Sequence, residues 1–302
     1  MANALKPRSR KVSLFGEAIA NALDVQEKTV LTNGDLYRLM WQVFEQGDVK
    51  YLRGDMMTKS AFRRTRYQLS REGIIREDND YRSCWRVMTK ADAPAEDIIC
   101  SVDSFCYVSH ISAMQQYGLT NRRPNALHMT RPTDTMRRSW LKADAEEFFG
   151  SAYTENYQEI EQPKAVVHRE RVRGRPVQFT VTRKYGEHLV IKGRIAKIAT
   201  IGQTFLDMLN EPDACGGIAH VLDIWPKHGM TYLDEIISLV ESSDRPILKV
   251  RAGYILDEVM GVTDARIDKW LKFAQRGSSR VLNSGKPFMS DHSEKWMLSL
   301  NV

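Results

Sequence analysis

Across 302 residues there are only four cysteines, Cys84, Cys100, Cys106 and Cys215, and no two of them form a close C-x-x-C pair. That spacing excludes a disulfide framework and a zinc knuckle, and leaves reduced, buried thiols. The seven histidines are equally dispersed, none at a ligand-like spacing from a carboxylate or cysteine, so no metal site is expected. No apolar run approaches the roughly 18 residues that a membrane-spanning helix needs. The opening MANALKPRSRKVSLFG lacks the apolar core and cleavage site of a secretory signal. A soluble, cytoplasmic protein with no membrane partner is the expectation. Neither G-x-x-x-x-G-K-[ST] nor a G-x-G-x-x-G after a strand occurs, and Gly216-Gly217 and the lone Gly261 do not replace them, so no nucleotide or other cofactor is expected. No internal repeat is visible.

With 42% hydrophobic and 27% charged residues the chain can build two domains with real cores. Its charge is lopsided. The first ninety residues hold 17 Lys and Arg against 11 Asp and Glu, and the remainder holds 27 of each, so the whole formal excess of +6 sits at the N-terminal end. Such asymmetry points to a polyanionic partner met by a discrete module.

Within that module the pattern reads as helix, turn, helix, hairpin. TNGDLYRLMWQVFEQG places Leu36, Leu39, Met40, Val43 and Phe44 at helical spacing behind Thr32 and Asp35, a capping-box pair. After a short turn around Arg53 and Gly54, Thr58 and Ser60 offer N-caps for SAFRRTRYQLSREG, which Gly73 should end as an αL cap. At about 100° per residue, Arg63, Arg64, Tyr67, Ser70 and Arg71 share one arc, and Phe62, Thr65 and Leu69 share the opposite one. No glutamates interleave those arginines as on a salt-bridged surface helix, and nothing requires Tyr67 in water. In a winged helix this second helix enters the major groove, where Arg63, Arg64, Tyr67 and Arg71 can reach bases or phosphates, while Thr58, Lys59 and Ser60 suit phosphate oxygens. The hairpin IIREDNDYRSCWRVM adds Arg76, Arg82 and Arg86 as a wing, with Arg82 beside Tyr81 at the turn the better placed. Residues 1–12, carrying Lys6, Arg8, Arg10 and Lys11, read as a flexible basic arm.

KADAPAEDI, small, acidic and proline-containing, marks a linker over 91–98 after a winged-helix domain of 13–90. The second domain, 99–302, should open with a sheet region to residue 200. Strands are expected at Phe105 to Val108 and Ala126 to Thr130, with a helix from Ser109 to Tyr117 between them. A hairpin of KAVVHRERV and RPVQFTVTR, joined through Arg173 and Gly174, should follow. Apolar spacing then predicts helices over 204–275 and a terminal strand over 295–301. The fold class is therefore α+β, a winged helix-turn-helix followed by a mixed sheet-plus-helices domain.

Arg169, Arg171, Arg173 and Arg175 alternate to one side at the hairpin tip and make a possible secondary contact, although an ordinary solvent-facing turn explains them as well. Ser109-His110 and Thr204 with Asp207 are the pairs that tempt a catalytic reading. Ser109-His110 lacks a nucleophile elbow and an ordering carboxylate nearby. Thr204 and Asp207 look like a helix start, a cap-region hydroxyl and a first-turn carboxylate. No catalytic residue is assigned, and the protein is not expected to be an enzyme.

Three blocks of the second domain carry a family resemblance: YVSHISAMQQYGLTNRRPNALHMT, IATIGQTFLDMLNEPDACGGIAHVLDIW and VRAGYILDEV. Together they resemble successive blocks of the AbiEi-type antitoxins. The most specific part is carried by Thr204, Phe205, Leu206, Asp207, Leu209, Pro212, Gly216, Gly217 and Ile218. The resemblance implies an antitoxin of a bacterial type IV toxin–antitoxin, abortive-infection system. Such a protein represses its own operon by binding inverted repeats on double-stranded DNA, and it counters a nucleotidyltransferase-like toxin without an obligatory stable complex. Two alternatives remain from the residues alone: a stand-alone winged-helix regulator with a ligand- or partner-sensing domain, and a metal-dependent nucleic-acid enzyme using Asp207.

Overall fold

The computed structural model describes residues 13–47 and 56–302; the basic arm at 1–12 and the turn around Arg53 and Gly54 lie outside them. In chain order the elements begin α1 (Leu14–Val25), β1 (Val30–Thr32), α2 (Asn33–Glu45), α3 (Lys59–Arg71), β2 (Ile75–Glu77), β3 (Cys84–Val87) and α4 (Ala95–Val102). There follow β4 (Tyr107–Val108), α5 (His110–Gln116), β5 (Leu127–Pro132), α6 (Asp134–Phe149), α7 (Ser151–Glu155), β6 (Arg171–Val172), β7 (Arg175–Thr182), β8 (His188–Val190) and β9 (Lys197–Ala199). The remainder is largely helical: α8 (Ile201–Asn210), α9 (Ile218–His228), α10 (Leu233–Ser242), α11 (Pro246–Tyr254) and α12 (Ala265–Asp268), then β10 (His292–Ser293) and β11 (Leu298–Ser299). The class is α+β.

The chain forms two compact units. The first takes the described residues up to Ser104 together with Thr133–Arg173. Its helices begin where cap chemistry places them. Ser13 Oγ accepts from the Gly16 N–H, Thr32 and Asp35 close the expected capping box, and Thr58 Oγ1 accepts from Ala61 N at 3.3 Å. Gly73, at φ +74°, ends α3 and lets Ile74 N donate to Leu69 O at 3.0 Å. The strands pair antiparallel in the order β1-β3-β2, with Val30 opposite Arg86 and Ile75 opposite Val87. Ile19, Leu23, Tyr37, Met40, Phe62 and Leu69 share one core with Phe149, Tyr153 and Ile160. The Tyr37 ring stands edge-on to Phe62 at 5.4 Å and lies 5.9 Å from Phe149.

Three expectations about this unit need correction. The segment 91–98 is not a free linker: from Ala95 it is helix, and it buries Ala95, Asp97, Ile98 and Ile99. Its proline and acids are the composition of a helix start, with Pro94 at the cap and Glu96 and Asp97 in the first turn facing the positive end of the helix dipole. The domain boundary after residue 90 also falls elsewhere, because 133–173 belongs to this unit. Of KAVVHRERV only Arg171–Val172 is strand, so the first arm of the expected hairpin is mostly irregular.

The second unit takes Phe105–Pro132 and Gly174–Val302. Its strands run in the order β7-β5-β4-β9-β8, mixed in direction: β5 pairs parallel with β7 and antiparallel with β4, and β9 pairs parallel with β4 and antiparallel with β8. The helical region is as the spacing foresaw up to Tyr254. There one turn of π-helix, Ile255–Val259, interrupts the register, and the stretch around Trp270 is a short α-helix continued as 3-10. Phe205, Trp225, Ile236, Leu256, Trp270 and Trp296 form the core. The terminal strand is shorter than expected, Leu298–Ser299 pairing with His292–Ser293. All four cysteines are free and buried. Among the described residues no helix is long and apolar enough to cross a membrane.

Candidate nucleic-acid interface and a buried-carboxylate cavity

The helical period divides α3 cleanly. Phe62, Thr65 and Leu69 are buried, and Arg63, Arg64, Tyr67 and Arg71 are exposed, the Tyr67 ring by 68%. Arg66 lies between the two faces, and its guanidinium sits 5.0 Å over the Trp85 ring while Nη1 donates to Asn33 Oδ1 at 2.9 Å. Trp85 Nε1 donates to the same oxygen at 2.7 Å. One arginine therefore fixes the helix to the sheet, and the outer three are left to solvent. At the N-terminal end Thr58 spends its hydroxyl on the cap and shares 3.1 Å with Ser60 Oγ, while the Lys59 N–H donates to Glu159 O at 2.9 Å. Ser60 is exposed, and Lys59 is half-buried.

On the hairpin Arg76 and Arg82 are exposed. The turn is held by Asp78, whose Oδ1 accepts from the N–H groups of Asp80 and Tyr81 at 3.0 and 3.1 Å. Among the described residues, none of Arg63, Arg64, Arg71, Arg76 and Arg82 lies within ion-pair distance of a carboxylate. Arg86 differs: it faces Asp92 at 3.4 Å and is partly covered, so it is not open to solvent as Arg76 and Arg82 are.

The second basic feature does not stand as one surface. Arg173 is folded inward, its Nη2 2.6 Å from Asp78 and its Nε 2.9 Å from Asp92, with a further ion pair to Asp80. Burial pulls its pKa down, but these three carboxylates outweigh it and raise it. Alternation fails here because residue 173 is the turn itself, at φ +51°, ahead of Gly174 at +74°. Arg169 is exposed and donates through Nε to Asp80 O at 3.2 Å. Arg171 is exposed and Arg175 half-buried.

The second unit contains a site that the sequence reading set aside. α8 starts one turn earlier than expected: Thr200 is the cap, accepting from Gln203 N at 3.2 Å, and Thr204 merely returns its hydroxyl to Thr200 O at 2.9 Å. Asp207 is thereby moved out of the first turn. It lies 8% exposed beside a cavity of about 610 Å³ that also meets His110, Glu211, Tyr185 and Arg183. Gln203 Nε2 donates to Asp207 Oδ1 at 2.7 Å, and Oδ2 has no hydrogen-bond partner. Burial raises the Asp207 pKa, against the pull of His110 and Gln203.

His110 is held at φ +52° by the start of α5, with Nδ1 2.8 Å from Ser109 Oγ and Nε2 3.5 Å from Glu211 Oε2. Burial lowers its pKa, but Glu211 and Asp207 more than compensate and leave it raised. Glu211 is lowered in turn, chiefly by the hydrogen bond from His110. His128 is pushed down to about 4 by burial and by the charge of His110, so it stays neutral at neutral pH. The spacing of Asp207 and Glu211, one helical turn apart, was visible in the sequence; that His110 from a distant helix meets them was not.

No protein-family model matches the chain, and no curated protein matches it. Among solved structures, the crystal structure of the RV2827C protein from Mycobacterium tuberculosis is similar over 98% of this chain and 94% of that one, at 12% sequence identity and a TM-score of 0.47.

Proposed function

We propose that the protein is a DNA-binding autorepressor that also serves as an antitoxin of a type IV toxin–antitoxin system. One observation carries the DNA reading: Arg63, Arg64, Tyr67 and Arg71 on α3, with Arg76 and Arg82 on the following hairpin, are exposed cationic and aromatic groups, and no carboxylate among the described residues neutralises the arginines. The helix, helix, hairpin order supports a winged-helix geometry in which α3 enters the major groove. The antitoxin reading rests on the AbiEi-like blocks of the second unit. Its functional partner is then a nucleotidyltransferase-like toxin, and co-expression with such a toxin tests it: restored growth is expected, and continued arrest removes the reading.

For DNA, fluorescence anisotropy with a duplex from upstream of the gene is the direct measurement. If about five to eight phosphates are neutralised, log K falls against log salt with a slope of about −5 to −7. Arg63→Ala and Arg64→Ala should each weaken binding about tenfold or more and leave the circular dichroism spectrum unchanged. Binding that survives both variants at low salt removes α3 as the reading helix. A second reading, a stand-alone regulator whose second unit senses a small molecule, is favoured by the Asp207 cavity.

A further inference from the structure

Arg251, in the second turn of α11, is only 3% exposed. Side chains on a helix slope toward its N-terminus, so the guanidinium lies back over the start of α11. Its Nε donates to Val281 O at 2.9 Å and its Nη1 to Leu209 O at 2.7 Å. Nη2 has no partner among the described residues, and it is not among the polar atoms sealed from solvent. Burial, and after it the charge of Arg245, pulls the pKa of Arg251 down to about 10, which still leaves the group cationic at neutral pH.

The two carbonyls that hold Arg251 bring further arginines to it. Val281 follows Arg280, which is half-buried and whose guanidinium has no hydrogen bond among the described residues. Leu209 precedes Asn210, whose Oδ1 accepts from Arg245 Nη1. Arg245, Arg251 and Arg280 accordingly line one depression of about 430 Å³, with the exposed Ser279 beside them. Among the described residues none of the three has a carboxylate within ion-pair distance. Asp244 at the same depression is occupied by Lys184, and Glu211 feels the charge of Arg245 only from beyond that distance. Pro246 and Ile247 complete the lining at the start of α11, where no side chain caps the helix, so the positive end of its dipole adds to the arginines.

Carbonyl dipoles hold a buried guanidinium in place, but they do not neutralise it, and gathering two more cations around it without an acid is costly. An anion recovers that cost. We infer that this depression is an oxyanion site, taking the doubly charged phosphate group of a small molecule, free or as a monoester, on Arg245, Arg251 and Arg280. Planar guanidinium forks suit the paired oxygens of such a group, and the Ser279 hydroxyl can serve a further one. The inference does not depend on the DNA reading, since every residue it uses lies in the second unit.

Isothermal titration of the full chain with inorganic phosphate and with glycerol 2-phosphate, in physiological potassium chloride, tests it. At least one of the two should give a saturable heat, and the tighter of them identifies the free ion or the ester as the ligand. Arg245→Gln and Arg280→Gln should each weaken it about tenfold or more, and the same phosphate should raise the melting temperature of the parent more than of either variant. Arg251 itself is left in place, because it also holds the end of α8 and the Val281 carbonyl. No saturable heat from either probe at millimolar concentration overturns the proposal, and so does affinity that both variants retain. A DNA duplex that displaces the phosphate would make the depression part of a DNA surface and equally overturn it, whereas anisotropy on Arg63→Ala reports separately on α3.

Discussion

At the scale of single residues, the exposed and the packed arginines of the first unit look alike in sequence and differ in what surrounds them. Arg63 and Arg64 were legible because α3 has a regular period and a clear apolar face. Arg173 was not, because three aspartates from the turn after β2 and from beyond β3 converge on it only after folding. His110 is a similar case, since its carboxylate partners come from α8. It also has a titration that can be followed. With its folded pKa raised above the ordinary 6.5, the stabilisation from pairing with Glu211 is complete below that value and is lost as pH rises through the higher folded one. The raised Asp207 works in the same direction, its buried charge costing more once it ionises, while the lowered Glu211 withdraws stability only as pH falls through its depressed value. His110→Asn, a residue that tolerates φ +52°, should flatten the decline in melting temperature as pH rises above the ordinary histidine value. An unchanged slope in thermal melts would deny the ion pair any such role.

Among elements, those with strong local signals were readable and those without were silent. α2 declared itself by its capping box and apolar spacing, and α3 by its stop at Gly73. α6 spans sixteen residues, DTMRRSWLKADAEEFF, yet has no apolar stripe, and it buries Arg137, Ala145 and Phe149. Its place depends on a polar network instead. Arg137 Nη2 lies 2.7 Å from Asp103 Oδ2, both side chains almost wholly buried, and donates to Val166 O at 2.9 Å. The same Asp103 oxygen meets His168 Nε2 at 2.9 Å, whose Nδ1 is 3.2 Å from the Tyr81 hydroxyl in the turn between β2 and β3. Removing one partner of a buried ion pair costs about 3–5 kcal/mol, mainly because the other charge is left unpaired. Arg137→Met should therefore lower stability by about that amount in urea unfolding monitored by near-ultraviolet circular dichroism. A midpoint within error of the parent would show that the network contributes little.

For the whole molecule, the α+β class and the order of most elements could be anticipated, and the partition of the chain between units could not. Composition marks where a chain changes character, and at 91–98 the change was a helix start. A fragment of residues 13–90 should consequently be poorly folded. It keeps Tyr37 and Phe62 but loses Phe149, Tyr153 and Ile160 from their core, and with them the Glu159 carbonyl that the Tyr37 hydroxyl and the Lys59 N–H both reach. Amide protection by hydrogen exchange comparable to that of the full chain would refute this.

Because the core around Tyr37 is completed by Phe149 and Tyr153, the segment bearing the exposed arginines of α3 cannot mature as it leaves the ribosome. It must wait until translation has passed Tyr153, about eighty residues after α3 ends, before its last aromatic partners arrive. A truncated translation product would thus carry every cationic side chain of α3 and yet lack the packed frame that holds the helix in place.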